Sequence, residues 1–258
     1  MAESFPVIHV QMSRTAPLEH FVFGERNSGT NFAHALLTAN LPALAQSTGD
    51  RIGPHGFRFG WKHGFPHMVA APDTALAIAI FRGPESWLRA MHRRPWHAAP
   101  ELRGLDFSAF IRRPWRTIVD EQNFGVDKRG RRWGAELQHD RHPLTGERFD
   151  NICQLRRAKS QGFLGLKARF ANCLMVRHED LTRDPEGFVR LVSEGYKLPR
   201  YQQFRPVEAR RGRPGEGAFE PTRYAPLAPE DAAFVWAQLD AGQEARLGYH
   251  RVEETKDA

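Results

Sequence analysis

The sequence predicts an α/β fold with a mainly parallel central sheet, on three observations. Short apolar runs without polar alternation suit strands that are covered on both faces. Segments with helical apolar spacing separate those runs. Helix-start signals (Pro84, Asp184-Pro185 and Pro229) stand where the intervening helices should open.

In chain order, residues 21–23 (Phe-Val-Phe) form a first strand that stops at Gly24. Residues 30–39 follow as a helix with Phe32, Leu36 and Leu37 on one face. Residues 57–61 alternate and predict a second strand; residues 75–81 are continuously apolar and predict a buried one. The helix opened by Pro84 carries Trp87, Leu88 and Met91. Residues 173–176 predict a fourth strand. After it, Asp184 caps a helix that Pro185 begins, with Phe188, Leu191 and Val192 as its stripe. A last helix starts at Pro229 and buries Ala232, Val235, Trp236 and Leu239. Residues 94–150 and 199–226 are rich in Arg, His, Pro and Gly and fit neither period. Both are expected to be irregular, facing substrate or solvent, within a single domain over 1–258.

Composition excludes several classes. With 41% apolar and 26% charged residues, the chain is globular rather than disordered. Its longest apolar run falls far short of the ~20 residues of a membrane helix, so no span is expected. The first residues lack the basic and apolar regions of a signal peptide. Cys153 and Cys173 form no CxxC pair, so a reduced, cytoplasmic protein is expected. The net charge of +7 is carried mostly by Arg, the side chain suited to bidentate capture of phosphate or sulfate. Charge alone does not separate nucleic acid, an anionic glycan and a phosphorylated cofactor as partner.

The most informative segment is Gly24-Glu25-Arg26-Asn27-Ser28-Gly29-Thr30-Asn31, between the first strand and its helix. Glycines five apart let the chain curl so that N–H groups converge at a helix N-terminus, which is an anion site. The spacing matches a Walker A loop, but Thr30 stands where that loop needs Lys. Asn31 replaces the hydroxyl that would hold magnesium. Both departures count against magnesium-dependent ATP or GTP hydrolysis.

This loop resembles the 5′-phosphosulfate loop of sulfotransferases that use 3′-phosphoadenosine 5′-phosphosulfate (PAPS), whose core is a cation followed by Ser-Gly-Thr. Ser28-Gly29-Thr30 match that core; Asn27 stands at the usual cation position, and Arg26 one residue earlier. Phe81-Arg82-Gly83-Pro84 is similar to the family's second element, in which a strand-end Arg binds the 3′-phosphate. Ala90 occupies the position of its usual partner Ser, with Ser86 one turn earlier as the substitute. Residues 175–181 with Asp184-Pro185 resemble the family's strand-and-turn segment. Arg210-Arg211-Gly212-Arg213-Pro214-Gly215-Glu216 is similar to its late loop over the 3′-phosphate. The resemblance implies a three-layer domain with a P-loop NTPase-like core. It also implies PAPS as co-substrate, no metal, and a hydroxyl or amine acceptor on a glycan, lipid or small metabolite. The cofactor-binding set it implies is Gly24, Arg26, Asn27, Ser28, Gly29, Thr30, Asn31, Arg82, Ser86, Arg210, Arg211 and Gly212.

Sulfuryl transfer needs charge stabilisation on the departing phosphate, a base for the acceptor proton, and in-line positioning. Arg26 and Lys62 are the candidate cations. His63, at the end of the 57–61 segment, is the candidate base, with His67 as alternative. Lys159, on the stripe of Ile152, Leu155, Phe163 and Leu166, is expected to snorkel at a helix edge. His92, Arg93, Arg94 and His97 are either an anionic acceptor pocket or solvated side chains. His139, Asp140 and His142 lack the spacing of a zinc site. Glu179 and Asp180 are expected to pair with nearby Arg residues.

Two other functions compete. One is a P-loop kinase or NTP-hydrolysing enzyme, against which the missing lysine counts. The other is a non-catalytic polyanion-binding module, supported by Trp96, Trp115 and Trp133 among basic residues, whereas the basic run at 128–132 either attracts an anionic acceptor or keeps the protein soluble. Nucleic acid is not the expected partner.

Overall fold

The computed structural model describes residues 4–47, 58–208 and 222–251. Five strands form one sheet: β1 (His9–Gln11), β2 (Glu19–Gly24), β3 (Ala45–Gln46), β4 (Ala75–Phe81) and β5 (Asn172–Arg177), in the order β1-β5-β4-β2-β3. β2 to β5 run parallel, and β1 pairs antiparallel with β5 at one edge. The chain is therefore mixed α/β with a mostly parallel sheet, as its apolar runs predicted.

Eight α-helices surround the sheet among the described residues: α1 (Thr30–Asn40), α2 (Pro84–Arg93), α3 (Phe107–Arg112), α4 (Ile152–Leu164), α5 (His178–Arg183), α6 (Pro185–Gly195), α7 (Pro229–Gln238) and α8 (Ala241–Arg246). Three of the longer ones open where local chemistry favours it. Pro84, Pro185 and Pro229 each begin a helix, where a missing N–H costs nothing. The Asp184 carboxylate also accepts from the Gly187 N–H at 2.8 Å, capping α6.

The pleat sorts β4 into two faces. Leu76, Ile78 and Ile80 pack with Leu36, Leu37, Phe188 and Val192 of α1 and α6. On the other face, Ala75, Ala77 and Ala79 leave room for large rings, which Phe21, Phe23, Phe59, Phe163 and Phe170 fill. That burial is the main stabilising term; truncating a fully buried ring such as Phe23 to Ala costs ~3–5 kcal/mol. A third cluster around Trp87, Met91, Phe110, Trp115 and Val235 ties α2, α3, α4 and α7 together beside the sheet.

One strand expectation fails. Residues 58–61 form no strand, and Phe57 lies outside the described residues. Phe59 and Trp61 are buried anchors of a loop that turns at Gly60, φ 97°. The Gly24 N–H donates to the Lys62 carbonyl at 3.0 Å, and the His67 N–H to the Phe59 carbonyl at 3.2 Å. The alternation marked two buried rings rather than a pleat. Residues 94–150 are also more ordered than expected. They hold α3, several single turns and an arm whose three segments are joined by the isolated Ala98–Thr117 and Ile118–Glu136 bridges.

Candidate anion-binding site

β2 ends at Gly24, and the chain turns back through Glu25–Ser28 before α1 begins. Both glycines are required by close approach. A Cβ on Gly24 would lie 2.7 Å from the Ile80 carbonyl oxygen, and one on Gly29 would lie 2.8 Å from His178 Cδ2. Gly29 also has φ 88° and serves as the N-cap of α1, with no side-chain cap. Thr30 and Asn31 therefore open the helix with their N–H groups turned to the loop mouth.

The structure brings together every described residue of the expected site. Lys62 Nζ donates to Asn31 Oδ1 at 2.9 Å, which holds a cation beside the start of α1. Arg82 Nη1 donates to the Asn27 carbonyl at 2.7 Å, and Arg82 Nε to Ser86 Oγ at 3.2 Å. The turn that presents Arg82 is itself fixed. Glu179 accepts from the Gly83 N–H at 2.9 Å and from the Tyr249 hydroxyl at 2.8 Å. Glu179 thus binds a backbone N–H and a phenol instead of the expected Arg, whereas Asp180 does pair with Arg177 and Arg183. Burial lowers the pKa of Arg82, against the pull of Tyr224 and Glu179. Arg210, Arg211 and Gly212 lie outside the described residues.

Asn27, at the position where the resemblance expects a cation, does a different job. It has φ 63°, and its amide donates to the Ala90 and Arg94 carbonyls at 3.3 and 3.2 Å. This pins the loop to the end of α2. Arg26 turns inward. Its side chain is buried, it donates to Asp140 at 2.6 Å, and it lies over the rings of Trp61 and Trp115. Among the described residues, its Nε and Nη1 have no hydrogen-bond partner, and neither do the carboxylate oxygens of Glu25 or Ser28 Oγ. Buried orphans of this kind are uncommon, and here they fall on three of four consecutive residues.

Asp140 is the hub beneath the loop. It accepts from Arg26, Lys159 and Thr117, the last at 2.8 Å. Burial alone would raise its pKa; Arg26 and Lys159 outweigh that and hold the carboxyl well below its usual range. Glu25 is raised by burial, despite Lys159 at 3.8 Å. Lys159 does not snorkel: it is fully buried and also donates to the His63 carbonyl at 2.6 Å.

His63 is held against the loop by Nδ1, 2.7 Å from the Gly24 carbonyl oxygen. A carbonyl only accepts, so Nδ1 carries the proton and Nε2 keeps a lone pair in the neutral ring. Burial lowers its pKa well below the usual value, and the neighbouring Lys62, Arg26 and Lys159 lower it further. His67 is exposed in the following loop. His178, which the motifs did not single out, packs over Gly29 and is lowered to about 4 by burial and by Arg82. No group of three metal-ligating side chains occurs among the described residues.

Two residues of this constellation were not legible beforehand, and a third was overlooked. Asp140 lies far from Arg26 in sequence, and no local pattern pairs them. His178 begins a short helix without a signal of its own. Glu25, inside the loop itself, was open to notice as an acid in an anion cradle. No protein-family model, curated protein or solved structure matches the chain.

Proposed function

We propose that this chain is a PAPS-dependent sulfotransferase, a single domain with a P-loop NTPase-like core. It would move a sulfuryl group to a hydroxyl or amine of a glycan, lipid or small metabolite. One observation carries the proposal: an uncapped helix N-terminus behind a glycine loop, with Arg82 and Ser86 directly beside it and no lysine at the Walker position. That pairing suits a ligand with anionic groups at two points, as PAPS has at its 5′ and 3′ ends.

The residues divide the work. The N–H groups at the loop and the start of α1 would bind the 5′-phosphosulfate and take up charge on the departing phosphate. Lys62 stands at the same end of α1 and would supply the cation that Asn27 does not. Arg82 would exchange its bond to the Asn27 carbonyl for the 3′-phosphate, with Ser86 orienting the guanidinium. Arg26 contributes through Asp140 to the shape of the loop rather than as a free cation. His63 braces the Gly24 carbonyl at the loop's first residue.

The test is thermal melting with 3′,5′-adenosine bisphosphate in the absence of magnesium. A ligand at 100 times its Kd stabilises by about 2.7 kcal/mol, a rise of several degrees. Arg82→Ala should weaken that binding by ~10–100-fold, as loss of a charged hydrogen bond does. Stabilisation by ATP with magnesium and none by the bisphosphate would point to a kinase-like enzyme instead. A shift with oligonucleotides alone that collapses in salt would point to a polyanion module.

A further inference from the structure

Sulfuryl transfer leaves a proton to be removed from the acceptor, and a histidine that takes it becomes positively charged. His63 is poorly placed for that. Lys62, Arg26 and Lys159 surround it, and all three oppose an imidazolium. A second histidine has the opposite setting. His97 follows the end of α2, three residues beyond the Arg94 carbonyl that the loop's Asn27 grips. Its Nδ1 is bonded to Asp120 Oδ1, and the other Asp120 oxygen accepts from Arg103 Nη2 at 3.0 Å. Arg103 is anchored in turn, with Nε donating to the Ala98 carbonyl at 2.7 Å. Asp120 is an acceptor here. Burial would raise its pKa, but His97 and Arg103 hold it below its usual value. Nδ1 therefore carries the proton, and Nε2, which has no hydrogen-bond partner among the described residues, presents its lone pair.

The location fits as well. The His97 ring lies 5.7 Å from the ring of Trp61, which also packs against His63 at 5.3 Å and lies under the Arg26 guanidinium. His97 is thus one indole away from the loop-bound histidine. Phe124, on the arm that also supplies Asp120, packs on it at 5.2 Å. The His97 backbone has φ 62°, an uncommon conformation for a residue with a bulky side chain. Such conformations persist where the surroundings hold them and gather at functional sites.

Resting on the sulfotransferase assignment above, we propose that His97, oriented by Asp120, is the base that deprotonates the acceptor. The acceptor O–H or N–H proton passes to His97 Nε2 as the acceptor atom bonds to sulfur. The bond from sulfur to the 5′-phosphate oxygen breaks, and its electron pair stays on the bisphosphate at the loop N–H groups. The imidazolium, paired with the Asp120 carboxylate, then gives its proton to solvent. Asp120 is a positioning residue in this scheme.

The experiment compares the wild-type chain with His97→Asn, His97→Gly, Asp120→Asn and His63→Ala. Asn and Gly both tolerate the positive φ, so the backbone is spared. Binding of 3′,5′-adenosine bisphosphate is measured by calorimetry. Release of the bisphosphate from PAPS is measured with water as acceptor, with and without imidazole in the buffer. Both His97 variants and Asp120→Asn should bind the bisphosphate as the wild type does. The His97 variants should release it ~10²–10⁴-fold more slowly, with KM for PAPS unchanged. Added imidazole should restore part of the rate to His97→Gly and none to His63→Ala. Failure of the wild type to bind the bisphosphate overturns the sulfotransferase assignment itself. If it binds but never turns over PAPS, if His97→Asn keeps full rate, or if imidazole rescues nothing, the base assignment is overturned while the binding site stands.

Discussion

Helix α4 carries two buried cations one turn apart, Arg156 and Lys159, and their surroundings differ. Arg156 makes two parallel bonds of 2.8 Å to Glu244 of α8, over the ring of Trp87. The pair is closed: one guanidinium meets one carboxylate in fork geometry. Lys159 instead enters a cluster of two cations and two acids, in which, among the described residues, the Glu25 carboxylate accepts no hydrogen bond and Arg26 leaves two nitrogens unpaired. The closed pair fixes how α8 packs on α4. The open cluster lies directly beneath the anion loop, where unsatisfied groups are tolerable if a bound ligand and the loop's shape depend on them.

The largest expected effect breaks both clusters in the same way. Glu244→Gln and Asp140→Asn each strand a buried cation, and each should cost ~3–5 kcal/mol in urea unfolding. Their consequences for ligand should differ. Bisphosphate affinity should fall in Asp140→Asn, which releases Arg26 and the loop, and stay unchanged in Glu244→Gln. Equal affinities in the two variants would mean that the cluster does not shape the loop. Replacing the closed pair whole, by Arg156→Leu with Glu244→Leu, should restore most of the lost stability, since isosteric apolar pairs often match a buried ion pair.

Acid should act next, through two histidines that flank α1 and its loop. His20, under α1, is lowered to about 4 by burial and by its neighbour His34, 3.0 Å away. His178, over Gly29, is also lowered to about 4. Both stay neutral in the folded chain, while the unfolded chain takes up protons near the ordinary value of 6.5. The unfolded state therefore binds more protons between those limits. Their contribution is intact above pH 6.5 and is lost as pH falls to about 4, at most ~3 kcal/mol for each. Melting temperature against pH should show that slope, and His20→Gln should flatten it; an unchanged slope would remove His20 from the account.

Smaller is the effect of Gly24→Ala. The added methyl meets the Ile80 carbonyl and Ser28 Oγ, and overpacking of this kind costs about 1–3 kcal/mol. Because the clash lies at the root of the loop, bisphosphate binding should drop by more than stability does. Unfolding and calorimetric titration of the same variant check both.

Local chemistry determined much of the fold in advance. β4 is a run of seven apolar residues, and no short signal contradicts it. Three helices begin at prolines, and Asp184 caps its helix with its own side chain. The glycine spacing of the loop was equally plain, because a tight turn before a helix is a local demand. The alternation at 57–61 misled because alternate burial, here of Phe59 and Trp61, arises in an anchored loop as well as in a pleated strand.

By itself, then, the sequence marked β2, β4 and β5, the starts of four helices and the place of an anion loop, because propensity, capping and turn geometry act within a few residues. Only the tertiary structure decided what the charges do. Arg26 meets Asp140, Lys159 is buried instead of snorkelling, Arg156 closes on Glu244, and His97 stands on Asp120. Each of these partners is distant in sequence. Buried charges must be paired wherever packing brings an opposite charge within reach, and no local pattern records where that will be.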